Sequence, residues 1–139
     1  MKPSVLLRIA SILTLLLAVG HTSGGLSFWS PAGETDVLRA MRSFHFDAAG
    51  ASRTYLDFFL GFGYINSVYL FMQAIVLWQL ASMAKTDAFR VRPLIGSFLL
   101  ASVVSAALSW TFIFVVPVVS FVAITVCLGL AFHAAGKRG

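Results

Sequence analysis

Acidic side chains are nearly missing from this chain: five Asp and Glu stand among 139 residues. Charge of either sign is scarce, at 11% of residues, where a soluble domain carries about 25%. From residue 93 to residue 136 there is no Asp, Glu, Lys or Arg at all. Cysteine is reduced to Cys127, inside an apolar run. That excludes an intrachain disulfide and reads as a small buried hydrophobe. His21, His45 and a carboxylate are a conceivable donor set for a metal, but no HExxH or CxxC spacing supports one, so neither metal nor cofactor is expected. The net charge of +5 is not gathered into a stripe, which speaks against nucleic acid as a partner. There is no internal repeat and no low-complexity tail.

What is present is apolar surface. Hydrophobic residues make up 59% of the chain, and the mean hydropathy is +0.91. The length suits one domain. The expectation is a single transmembrane domain over residues 1–139. The basic residues sit at the ends of the apolar runs, as membrane flanks do.

The longest run, residues 53–84, carries no charge after Asp57. As a helix its uncharged part spans about 40 Å, against about 30 Å of bilayer hydrocarbon. It holds Asp57, Tyr64, Asn66, Gln73 and Gln79, polar groups that belong against other helices or a cavity. Arg53 and Asp57 are four apart and could pair on one helical face. Ser52 is a candidate N-cap. Gly61 and Gly63, in GFG, read as a helix-packing notch or a local kink rather than a phosphate loop.

The run before it, residues 5–21, admits two readings. A signal peptide would be cut after Gly20, with Ala18 and Gly20 as its small residues. The expectation taken here is a membrane helix. Ala10, Thr14 and Ala18 form a small-residue ridge suited to close helix contact, and Arg8 can reach the headgroups. Between the two runs lies the only substantial polar connection. Pro31, Glu34 and Asp36 near one end, and Arg39 and Arg42 near the other, predict an amphipathic helix over residues 31–44. Val37, Leu38, Met41 and Phe44 would form its apolar face. Residues 44–52 read as a connection.

The uncharged stretch after Arg92 is about twice a bilayer in length as one helix, so it must be two passes. Pro117 is the expected break. The passes are placed near residues 94–112, starting at Pro93, and residues 117–135. Ser97, Ala101, Ser105 and Ser109 form a packing seam at strict fourth spacing. The fold class expected is therefore all-α: a four-helix transmembrane bundle with a short amphipathic helix in its first, outer loop.

Sidedness follows from charge. Lys2, Arg8, Lys85, Arg90, Arg92, Lys137 and Arg138 fall on one side, and Arg39, Arg42 and Arg53 on the other. The positive-inside rule puts both termini in the cytoplasm.

The opening RIASILTLLLAVGHTSGG, the FHFD segment, the stretch SRTYLDFFLGFG and the start VRPL resemble a family of small bacterial four-helix integral membrane proteins. The resemblance covers nearly the whole chain. It implies the four-helix architecture and brings no catalytic residue with it.

The chemistry-bearing residues collect toward the outer end. His21, His45 and Asp57 are the candidates for acid–base work on a lipophilic molecule. Arg53, Asp57, Tyr64 and Asn66 are the candidates for holding a ligand. The plainer account makes the histidines interfacial residues satisfied by backbone, with Arg53 and Asp57 a structural pair. His133 falls at the opposite membrane face, so a bis-histidine haem site lacks a scaffold. The first run has no acidic residue, unlike small proton-coupled exporters with four helices. Two functions remain in view. One is a non-enzymatic membrane protein that binds a lipid-like ligand or serves as a subunit, with membrane lipids, a homo-oligomer or a larger complex as partners. The other is a membrane enzyme using the His/Asp/Arg cluster. Convergence of His21, His45 and Asp57 on one cavity would favour the enzyme.

Overall fold

The computed structural model describes residues 1–30 and 32–137. Its elements in chain order are helix α1 (Pro3–Gly24), helix α2 (Asp36–Ser43), strands β1 (His45–Ala48) and β2 (Ala51–Thr54), and helices α3 (Tyr55–Met83), α4 (Ala88–Phe112) and α5 (Val115–Ala135). A single 3-10 turn, Gly25–Ser27, follows α1. Apart from one hairpin, the regular secondary structure among the described residues is helical. Four helices (α1, α3, α4 and α5) are long and apolar enough to cross a membrane. The shortest of these four, α5, has 21 residues and is about 32 Å long.

The chain divides into two compact units. Residues 1–17 and 70–139 form one, and residues 18–69 form the other. In the first, Leu7, Leu77, Ile95, Ile124 and Leu128 are fully buried in one apolar cluster. Small residues complete it, among them Ala10, Ala81 and Ala131. Two polar contacts join helices there. Ser11 donates to the Ala74 carbonyl at 2.7 Å. The Ser102 and Thr125 hydroxyls share a bond of 2.9 Å. Each satisfies groups that an apolar interior would otherwise leave stranded. Arg8 lies over the Trp78 ring at 4.7 Å, and Arg92 over Phe132 at 4.2 Å.

Ala10, Thr14 and Ala18 are all fully buried, as expected of a close-packing ridge. The seam expected on α4 is different. Ser97 and Ala101 are exposed, Ser105 is half-buried and only Ser109 is buried. The face of α4 that is buried instead carries Val91, Ile95, Ser102 and Ser109. Spacings of four and seven follow one side of a 3.6-residue helix more closely than strict fourth spacing, which drifts around the axis.

Several boundaries move, each for a local reason. Helix α1 runs unbroken past Gly20 to Gly24. Helix α2 is shorter than expected because Thr35 caps it, accepting from the Leu38 N–H at 3.2 Å. Its expected first-turn Pro31 lies outside the described residues, as does Arg138. Of its expected apolar face only Leu38 is buried, while Val37 and Phe44 are exposed. Helix α4 starts five residues before Pro93, where Asp87 accepts from the Arg90 N–H at 3.0 Å. Pro117 does not break the helix. It is the third residue of α5, where an amide has no intrahelical partner to lose.

The largest difference lies in residues 44–54. Strands β1 and β2 pair antiparallel, with Phe46 opposite Arg53 and Ala48 opposite Ala51. The two-residue turn is Ala49–Gly50, both at positive φ (54° and 85°), as the primed hairpin turns demand. Asp47 reinforces it by accepting from the Gly50 N–H at 2.8 Å. The expected cap Ser52 is therefore in a strand, and Thr54 takes its place. Thr54 Oγ1 accepts from the Asp57 N–H at 3.1 Å, and Asp57 Oδ2 accepts from the Thr54 N–H at 2.7 Å. This reciprocal capping box starts α3.

Candidate functional site

The chemistry-bearing residues of the unit spanning 18–69 fall into two places. The first is built around Trp29. Phe28 and Trp29 both take left-handed backbone conformations (φ 55° and 48°). This turns the chain back, so that the Trp29 N–H reaches the Gly24 carbonyl at 2.8 Å. The indole then lies in a cradle of glycines. A Cβ on Gly24, Gly25 or Gly63 would stand 2.8, 2.9 or 2.5 Å from an indole carbon. Trp29 Nε1 donates to the His21 carbonyl at 2.8 Å. Tyr64 and Phe59 meet the indole edge-on, at 5.0 and 6.4 Å between centroids.

His21 belongs to this cluster. Its Nε2 is 3.1 Å from the Gly63 carbonyl oxygen, which accepts from it in the Nε2–H tautomer. The Asn66 side-chain nitrogen lies 3.3 Å from the same atom. Two of the expected ligand residues, Tyr64 and Asn66, are thus packed around Trp29 and His21.

The second place is a groove of about 250 Å³ lined by Arg53, Asp57, Phe58, Gly61, Phe62 and Ile65. The hairpin sets its polar end. Phe46 on β1 meets Tyr55 at 4.9 Å and Phe58 at 5.5 Å. Phe44 stacks on Tyr55 at 5.6 Å. These rings hold the hairpin against the start of α3 and so fix the strand that carries Arg53. Arg53 Nη1 donates to the Ser52 carbonyl at 2.9 Å. Because Arg53 lies on a strand, the helical four-residue spacing to Asp57 does not apply, and the two form no ion pair. The ion pairs among the described residues are Arg39 with Asp36 and Arg42 with Glu34.

Of the three residues singled out for acid–base work, Asp57 lines the groove and neither histidine does. His45 is exposed on β1, with Nδ1 2.9 Å from the Ser43 carbonyl. Each histidine therefore commits one ring nitrogen to a backbone carbonyl. His133 lies near the end of α5, in the other unit. Among the described residues no three His, Cys, Asp or Glu side chains gather in a metal-binding group.

Sequence reasoning missed the Trp29 cradle and the hairpin. The signal for the first was present: GG at 24–25 and GFG at 61–63 flank a lone tryptophan. The signal for the second was faint. Ala-Gly is a poor mark of a primed turn beside Asn-Gly, and four-residue strands barely alternate.

Comparison of the chain with protein-family models, with curated proteins and with solved structures finds no match.

Proposed function

We propose that this is a non-enzymatic integral protein of the bacterial inner membrane that binds a lipid-like ligand in the groove at the start of α3. The observation that carries the proposal is the gradient along that groove. It begins at two charged side chains, Arg53 and Asp57, and ends at Phe62 and Ile65, with both apolar residues more than half exposed. A headgroup and an acyl chain have the same gradient. Ligand pockets are mostly apolar with a few placed polar groups, and this groove has that make-up. The four long helices supply the membrane setting. Apolar side chains such as Leu100, Val116 and Val119 are over 60% exposed, an arrangement that water penalises and lipid does not. The seven-to-three division of basic residues supports cytoplasmic termini. A reporter fused after Gly139 that proved periplasmic would overturn that orientation.

The test is native mass spectrometry of the protein taken from its own membranes in mild detergent. A reproducible lipid-mass adduct, lost in Gly61→Leu, is expected. An adduct retained undiminished in that variant would remove the groove from consideration. A second reading, a subunit of a homo-oligomer or larger complex, draws on the exposed Ser97 and Ala101 of α4. Small residues there leave room for another helix to approach. It expects a particle larger than the monomer that Ala101→Leu dissociates. A monomer in mild detergent would end it.

A further inference from the structure

The groove specifies more than a lipid, because its two charged residues have opposite sign and form no ion pair, although Arg53 lies close enough to act on the Asp57 carboxylate. Arg53 and Asp57 line it together without pairing. Arg53 gives one N–H to the Ser52 carbonyl, and a guanidinium has five to give. Asp57 accepts the Thr54 N–H at Oδ2 in the capping box, and the Thr54 hydroxyl also acts on its carboxylate. A carboxylate has about four lone-pair sites, so this exposed one has room for a further donor. From these facts, and resting on the reading of the groove as a lipid site, we infer that it selects a zwitterionic phospholipid with a primary ammonium headgroup, phosphate toward Arg53 and ammonium toward Asp57.

The selection follows by elimination on charge and donors. A purely anionic headgroup would satisfy Arg53 but bring its phosphate beside the Asp57 carboxylate. A quaternary ammonium headgroup has the right charges but no N–H to donate to the Asp57 carboxylate. A primary ammonium supplies three donors next to a phosphate. The guanidinium fork suits phosphate oxygens, and charge-assisted bonds of both kinds are the strong ones. The stack of Phe44, Tyr55, Phe46 and Phe58 holds the strand bearing Arg53 beforehand, so less ordering remains to be done on binding.

The acyl chain has its own evidence in Gly61. A glycine in a helix interior is unfavourable relative to alanine, and here, beyond its chain neighbours and the local helix backbone, no atom of the described residues lies within 4 Å of where its Cβ would stand. Nothing in the protein requires the missing side chain. The space it leaves is the floor of the groove between Phe58, Phe62 and Ile65.

The experiment uses the full chain in mixed micelles holding equal amounts of phosphatidylethanolamine, phosphatidylcholine and phosphatidylglycerol with identical dioleoyl chains. Retained lipid is read by native mass spectrometry, and the Tm of each variant is recorded. The wild type is expected to retain phosphatidylethanolamine about tenfold over each of the others, the effect of one charge-assisted contact. Arg53→Gln and Asp57→Asn each bring the preference to within about twofold. The asparagine oxygen still caps the Thr54 N–H, so that variant keeps the start of α3. Arg53→Lys keeps the charge but not the fork, and retains a preference smaller than that of the wild type. Gly61→Leu loses all three lipids without a lower Tm. Equal retention by the wild type, a preference for phosphatidylglycerol, or an undiminished preference in Asp57→Asn would overturn the headgroup assignment while leaving a lipid site in place. Full retention by Gly61→Leu would overturn the lipid site itself.

Discussion

Gly61 and Gly63 stand two residues apart in α3 and do opposite things. Two residues are about 200° around a helix, so the two positions look out from opposed faces. Gly63 is filled: a Cβ there would stand 2.5 Å from the Trp29 ring. Gly61 is open: beyond its chain neighbours and the local helix backbone, no atom of the described residues lies within 4 Å of the same construction. One glycine exists so that the protein can pack against itself. The other leaves a space that the protein does not use. The same residue type in one tripeptide therefore marks a structural contact on one side and a candidate binding surface on the other.

Four substitutions sharpen or break this contrast, each read by thermal unfolding in mild detergent. Gly63→Ala should have the largest effect, a loss of about 1–3 kcal/mol from overpacking against an indole anchored at Nε1. A variant as stable as the wild type would mean that the cradle is not tight. Thr54→Ala should cost about 1 kcal/mol by removing the capping hydroxyl from the Asp57 N–H. An unchanged Tm there would show the hairpin alone sets the start of α3. Gly61→Ala should instead stabilise, by up to about 1 kcal/mol of helix propensity. If it destabilises, Gly61 has a packing role and the contrast with Gly63 collapses. Ala49→Gly should give the smallest gain, about 0.5 kcal/mol, since relief of left-handed strain at φ 54° is partly offset by glycine's entropy. Faster proteolysis of the hairpin in that variant would contradict the turn geometry.

How much was legible depended on the range of the cause. The four long helices are readable because a run of about 20 apolar residues is a local property. The ridge Ala10, Thr14 and Ala18 is readable for a related reason, since burial of small residues at fourth spacing over two turns stays on one face. Over the longer seam from Ser97 to Ser109 the same spacing drifts around the helix, and the ridge passes from the exposed face to the buried one. Starts of helices were readable only to within a few residues. Ser52, Thr54 and Asp57 are all plausible caps by type, and the choice among them lay with the pairing of residues 51–54 to residues 45–48.

The site divides in the same way. Asp57 and Arg53 were singled out as ligand residues from their chemistry, and they line one groove. Tyr64 and Asn66 were singled out on the same grounds and lie instead around Trp29 and His21. Nothing in residue type separates the two pairs.

By itself the sequence determined the all-helical class, the four apolar spans and the scarcity of charge between them. These follow from composition and run length, which every conformation of the chain shares. Only the tertiary structure decided that Trp29 closes over Gly24, Gly25 and Gly63, that residues 45–54 form a hairpin, and that Arg53 and Asp57 share a groove unpaired. Those arrangements bring together residues up to 39 positions apart in the chain, from Gly24 to Gly63. Their free energy comes from the contact itself, which no local propensity records.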